Sequence, residues 1–181
     1  MIIEYKLDEK DFLTHQLFIA SRSERIRKKR QKNKIIIPLI YVAIGLMSFF
    51  QDNYSTTIIF FIVAFFWFTM YPLWERRYYK KHYQAFISEN YKDKIGRTAT
   101  LEFDNDFILA KENGSESKVL TKELEEINEI STTIFIRLKG GQSFILPKDK
   151  IPRVENIKAR LKELATYLNI KYDIDEKWEW K

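Results

Sequence analysis

Two histidines, His15 and His82, and the carboxylate run Glu123, Glu125, Glu126 and Glu129 are the side chains here that could do chemistry by type and spacing. A histidine acts as a general base only with a nucleophile in reach. His15 sits in a helix-like stretch and His82 in a basic segment, and neither has a nucleophile placed beside it. The carboxylate run could bind a divalent cation, but a charge run of this kind reads first as the solvated edge of a domain. With no cysteine in the chain, a disulfide framework and a thiolate metal site are both excluded. No Walker loop, GxSxG, HExxH or dinucleotide fingerprint occurs. Gly140-Gly141 lies between two strand-like runs and reads as a turn. We therefore expect no catalytic residue, no metal, no cofactor and no enzyme activity.

The elements that must position these groups are easier to read than the groups themselves. The chain has 181 residues, of which 45% are hydrophobic and 31% charged. The apolar residues are concentrated. Residues 35–50 and 58–74 contain no Lys, Arg, Asp or Glu. As helices rising about 1.5 Å per residue, they span roughly 24–26 Å, close to a hydrocarbon core of about 30 Å. Flanking Lys32, Lys34, Arg76 and Arg77 can snorkel, and Tyr54, Trp67, Tyr71, Trp74, Tyr78 and Tyr79 supply interfacial aromatics. Two transmembrane helices are expected, joined by the short loop 51–57. Their polar content is Ser48, Thr69, Tyr41 and Tyr71, and Gly45 stands alone without a GxxxG face. Such a pair anchors; it offers nothing to conduct or hydrolyse.

The formal charge of +6 divides unevenly. Residues 1–34 hold ten Lys/Arg against five Asp/Glu, and residues 75–95 hold six against three. Residues 96–181 hold fifteen against sixteen. A nucleic-acid binder concentrates its cations on the folded domain, and this chain does not. Its cations flank the apolar blocks, at Arg25, Arg27, Lys28, Lys29, Arg30 and Lys32 before the first, and at Arg76, Arg77, Lys80 and Lys81 after the second. The intervening loop has none. This is the positive-inside pattern, with both termini cytoplasmic. The ten cations are candidate contacts for anionic lipid headgroups, but the first expectation is that they only fix topology, and the two roles can coexist.

Residues 1–7 alternate as a short strand that could join a sheet formed further along. Asp8 reads as an N-cap with Asp11 at N3, opening a basic amphipathic helix over residues 9–30. Residues 75–92 continue the second span as a helix. From residue 97 the period becomes two, with strands at 98–103, 107–111, 118–120, 127–130, 133–138 and 143–146. Asp104-Asn105, Asn113-Gly114 and Gly140-Gly141 supply turns, and Thr121 is expected to cap a short helical turn. Residues 151–168 form an amphipathic helix with Pro152 near its start. Strands closed by one C-terminal helix follow the order of a pleckstrin-homology (PH)-like domain. In the tail, Ile170, Tyr172 and Ile174 alternate before Trp178 and Trp180. These tryptophans could dock on the chain itself, contact a partner, or touch the membrane interface.

On these features the chain resembles the YcxB-like family of bacterial membrane proteins. The likeness runs through Phe12-Leu13-Thr14-His15-Gln16-Leu17-Phe18, the basic run Arg27-Lys28-Lys29-Arg30, the paired spans, and Ile127…Ile130 followed by Phe144-Ile145-Leu146-Pro147-Lys148. Leu124 stands where relatives often have an aromatic. The resemblance implies a PH-like cytoplasmic domain on a membrane hairpin, and it supplies no catalytic residues.

The expected fold is α+β with a two-helix transmembrane hairpin. The expected organisation is an N-terminal segment at 1–34, the hairpin at 35–74, a juxtamembrane helix at 75–95 and a PH-like domain with an aromatic tail at 96–181. The expected role is a binding or regulatory protein of the inner membrane whose partners are the lipid bilayer, anionic headgroups, and a protein or second copy, but not nucleic acid. The alternative is a small subunit of an oligomeric transport assembly.

Overall fold

A computed structural model describes residues 1–112 and 114–181. The chain is α+β. Its helices are α1 (Glu9–Arg22), α2 (Glu24–Phe49), α3 (Tyr54–Asn90) and α4 (Val154–Leu168). Its strands are β1 (Ile2–Lys6), β2 (Thr98–Phe103), β3 (Phe107–Glu112), β4 (Ser115–Leu120), β5 (Leu124–Ile130), β6 (Thr133–Leu138), β7 (Ser143–Pro147) and β8 (Lys171–Asp175). The residues group into two compact units.

The first unit comprises Met1–His15 and Gln84–Glu179. One antiparallel sheet has the order β1-β2-β3-β4, and a second has β7-β6-β5-β8. The N-terminal strand does join a sheet formed by later residues: Ile3 pairs with Leu101 and Tyr5 with Ala99. Alternation explains the burial, since Ile3 and Tyr5 point inward while Ile2, Glu4 and Lys6 stay exposed. The two sheets and α4 share one apolar core, built around Ile108, Ile127, Ile134, Ile136, Leu146 and Leu161. The stripe expected on the last helix is the face that packs, with Ile157, Leu161 and Leu164 buried.

Several local expectations shift. The last helix begins at Val154, three residues late, because Pro152 disfavours helical geometry at Ile151 and Arg153 takes a left-handed φ of 52°. The turn at Thr121–Glu123 is a single 3-10 turn, and the Thr121 hydroxyl does not cap it but donates to the Asn105 carbonyl at 3.1 Å. In the Asn113-Gly114 turn, Asn113 lies outside the described residues, and Gly114 has φ +82°, open to glycine without strain. β4 starts at Ser115, not at residue 118, because its first residues, though polar, complete the ladder with β3. The alternating tail is a true strand: β8 runs parallel to β5, with Tyr172 opposite Ile127.

The second unit comprises Gln16–Tyr83 with Trp180–Lys181. The helix expected over 9–30 breaks at Ser23, whose extended backbone (φ −72°, ψ 115°) ends α1 and caps α2 through an Ile26 N–H···Oγ bond. From Glu24 onward one unbroken helix carries the basic run straight into the apolar block. On the other side, α3 is 37 residues long and likewise joins the apolar block to the segment after it. Both helices are long and apolar enough to cross a membrane. They touch at Arg30 with Glu75, Lys34 with Phe68, Tyr41 with Phe60, and Gly45 with Thr57, so the contacts climb α2 as they descend α3. Near the loop the Thr57 hydroxyl donates to the Gly45 carbonyl at 3.2 Å. A Cβ on Gly45 would lie 3.4 Å from that of Phe60, an ordinary contact, so the space there takes a methyl group but nothing larger without a shift.

Candidate membrane-surface site

The basic turns of α2 place Arg25, Lys28, Lys29 and Lys32 on one face, since positions three, four and seven apart align on a helix. On α3 the pairs Arg76/Lys80 and Arg77/Lys81 do the same. These eight side chains and Arg27 are exposed. Arg27 and Lys28 reach Glu24 at 3.8 and 3.3 Å, within their own helix and in solvent, where such pairs contribute little. Among the described residues the other seven form no ion pair. Trp74 and Tyr78, 57% and 53% exposed, stack at 5.3 Å on α3, and Tyr78 stacks on His82 at 6.4 Å.

Arg30 is the exception among the ten candidates. It turns between the helices, with Nε 3.0 Å from Glu75 Oε2, as an ion pair that is not aligned as a hydrogen bond. Its guanidinium also lies over the Trp180 ring at 4.8 Å and donates to the Lys181 carbonyl at 2.6 Å. The Tyr71 hydroxyl donates to the other Glu75 oxygen at 3.2 Å. Arg30 is thus committed inside the chain. Trp180 is buried too: its indole N–H donates to the Arg76 carbonyl at 3.1 Å, and its ring meets Tyr79 edge-on. Docking on the chain itself is what Trp180 does. Trp178 is half-buried in the first unit.

The sheet unit holds a second charged cluster. Glu129 on β5 is buried, and it accepts from Lys148 Nζ at 2.7 Å and the Tyr172 hydroxyl at 2.7 Å, with Lys158 Nζ at 2.9 Å. Burial opposes its charge, but the two lysines and the tyrosine outweigh that and hold its carboxyl at about 2. Burial, together with the Glu129 carboxylate, pushes the Tyr172 hydroxyl up, and Glu129 with Glu155 pushes the Lys158 amine up. Glu125 and Glu126 pair with Arg137 at 3.1 and 3.3 Å. The acidic run is therefore not uniformly a solvated edge: β5 is buried on both faces over Ile127–Ile130, and Glu129 there ties together β5, Lys148 just past β7, α4 and β8. Among the described residues no group of three His, Asp or Glu is placed to hold a metal ion.

His15 lies beside Phe135, with ring centroids 5.4 Å apart and its Nε2 buried without a partner. Burial lowers its pKa to about 4, so the ring is neutral at pH 7. At the start of α1, Asp8 and Asp11 exchange hydrogen bonds as a reciprocal capping box, at 3.0 and 2.8 Å. Lys150 Nζ bridges both carboxylates at 2.6 and 2.5 Å, and this raises its pKa despite partial burial.

Glu75 and Glu129 were not singled out by sequence as structural centres. Glu75 had a signal, since it is the only acid between Asp52 and Glu89 and it abuts two arginines. Glu129 had none beyond its place in an acidic run. Comparison with family models, curated proteins and solved structures finds no match to this chain.

Proposed function

We propose that this chain is a membrane-anchored binding or regulatory protein. A two-helix hairpin formed by α2 and α3 crosses the inner membrane of a bacterium, both termini lie in the cytoplasm, and the sheet unit is a PH-like interaction domain. The observation that carries this reading is the exposure of the apolar helices. Phe65 and Phe66 are 66% and 58% exposed, and Leu39, Ile40, Met70 and Leu73 are similarly bare. Only 11% and 17% of the most apolar stretches of α2 and α3 are buried, whereas the core helix of a soluble protein is mostly buried. Charge favours the stated orientation, because cations crowd one end of the pair and the other end carries Asp52 alone.

Strand order supports the PH-like reading. Seven strands in sheets of four and three precede α4, and β8 is added at the edge of the second sheet. The YcxB-like resemblance points the same way. PH-like folds present edges and loops to ligands, so the proposed role is binding without a catalytic step; that step rests on fold analogy. Membrane fractionation of the full chain tests the anchor. Retention in the pellet through carbonate and high-salt washes, with release by detergent, is expected. Release by carbonate alone would overturn it.

A further inference from the structure

We propose that the outward faces at the basic end of α2 and α3 form a binding surface for anionic phospholipid headgroups. This deepens the reading above and rests on its membrane placement.

Rigidity is the first support. The break at Ser23 precedes the basic run, so Arg25 to Lys34 belong to the same helix as the apolar span. Nine residues of helix carry these cations about 14 Å along the axis. The headgroup layer adds about 5–8 Å beyond the hydrocarbon on each side, and a surface potential reaches about 8–10 Å further. Every cation of the run therefore stays within the layer or its field, and none can swing away on a loop.

Sorting of charge is the second. The inward-facing cation, Arg30, is neutralised by Glu75, and the carboxylate is thereby removed from the outer surface. What remains outside is a set of nine exposed cations, with Glu24 as the exposed acid among residues 24–34 and 75–82. Seven of the nine form no ion pair among the described residues, and cations at this density call for anionic partners, which a bilayer supplies as phosphates at that depth.

The third is the aromatic ladder. Trp74, Tyr78 and His82 stack at intervals of four residues along α3, on an exposed strip beside Arg77 and Lys81. An amphipathic ring prefers the headgroup boundary, and adjacent cations can bridge to phosphates from there. Trp74 also closes the charge-free run 58–74, so the ladder starts in the apolar belt and climbs into the cations, the order that a bilayer boundary presents.

The test uses the full chain reconstituted in phosphatidylcholine bilayers containing phosphatidylglycerol. Spin-labelled forms of both lipids report how much of each is motionally restricted by the protein. The wild type should prefer phosphatidylglycerol about three- to tenfold at low salt, and the preference should fall as salt rises. Replacing Arg25, Lys28, Lys29 and Lys32 by Gln, or Arg76, Arg77, Lys80 and Lys81 by Gln, should each lower it severalfold. Replacing the exposed Lys6, Lys10, Lys122 and Lys177 of the sheet unit should leave it unchanged. Insertion is checked in the same samples by labelling a Ser55→Cys variant. Equal association of the two lipids, or a preference that survives both helix variants, overturns the proposal while an inserted chain leaves the anchor standing. RNA retention by the inserted chain without lipid preference overturns it in favour of a nucleic-acid surface. A chain that does not enter the bilayer overturns the anchor, and this proposal with it.

Discussion

Arg30 and Glu75 form an ion pair at 3.0 Å, with side chains 22% and 7% exposed, and it closes the basic end of the α2–α3 pair. Each partner makes the other tolerable where it sits. Glu75 would otherwise be a buried carboxylate beside an apolar belt, and Arg30 would be a cation turned away from solvent. Trp180 over the guanidinium and Tyr71 on the carboxylate complete the cluster.

Removing both partners should therefore cost less than the two single losses added together. Glu75→Gln should destabilise the helix pair by about 2–4 kcal/mol, and the double variant with Arg30→Gln by less than the sum of the single ones. Unfolding of the purified protein in mild detergent reads both values. Additive losses would show that the pair is not coupled.

Glu129 predicts an acid-sensitive fold. Its carboxyl titrates at about 2 in the folded chain against an ordinary 4.5. A depressed carboxyl stabilises above the unfolded value and loses that contribution as pH falls through the folded one. The window runs from about 4.5 down to about 2, and the full contribution is about 3 kcal/mol. Glu129→Gln should remove this part of the pH dependence and loosen β8, seen as faster amide exchange at Tyr172.

His15 acts in a separate window. Its folded pKa of about 4 lies below the ordinary 6.5, so the unfolded chain binds the extra proton between them. Stability should be complete above about 6.5 and fall as pH drops towards 4. His15→Phe leaves no polar atom unpaired and should flatten that slope without lowering stability at neutral pH. A slope that persists in the variant would assign it to another group.

The first strand should be indispensable to the sheet unit. Ile3 and Tyr5 are 3% and 6% exposed and pair into β2. Ile3→Ala should cost about 2–4 kcal/mol, and removing residues 1–7 should make the sheet unit sensitive to protease. Unchanged protease resistance after that deletion would contradict the pairing.

Gly45 faces Phe60 and Thr57 across the two long helices, with room for little more than a methyl group. Gly45→Leu should force Phe60 aside and cost about 1–3 kcal/mol, whereas Gly45→Ala, which meets ordinary contacts, should cost little. Thermal unfolding in detergent separates the two.

What the sequence disclosed follows the range of the interactions. Charge-free runs and their flanking cations are local, so residues 35–50 and 58–74 could be read directly. The Asp8–Asp11 cap spans three residues and was equally legible. The break at Ser23 was not, because the residues after it are good helix formers and one extended backbone conformation decides the matter. Parallel pairing of β8 with β5 joins residues more than forty apart and leaves no local trace. Glu129 was hidden for the same reason: its partners Lys148 and Tyr172 lie 19 and 43 positions away. Trp180 could be recognised as a residue that needed burial, but its site beside Arg30 could not be foreseen from the tail.

Cysteine accessibility tests the central claim most directly, and the natural chain has no cysteine to interfere. Asn53→Cys places a thiol in the loop between α2 and α3, and Glu116→Cys places one on exposed β4. A membrane-impermeant maleimide should label Asn53→Cys in intact cells, and Glu116→Cys only after permeabilisation. Labelling of Glu116→Cys in intact cells, or of Asn53→Cys only after lysis, would contradict a two-span anchor with a cytoplasmic domain.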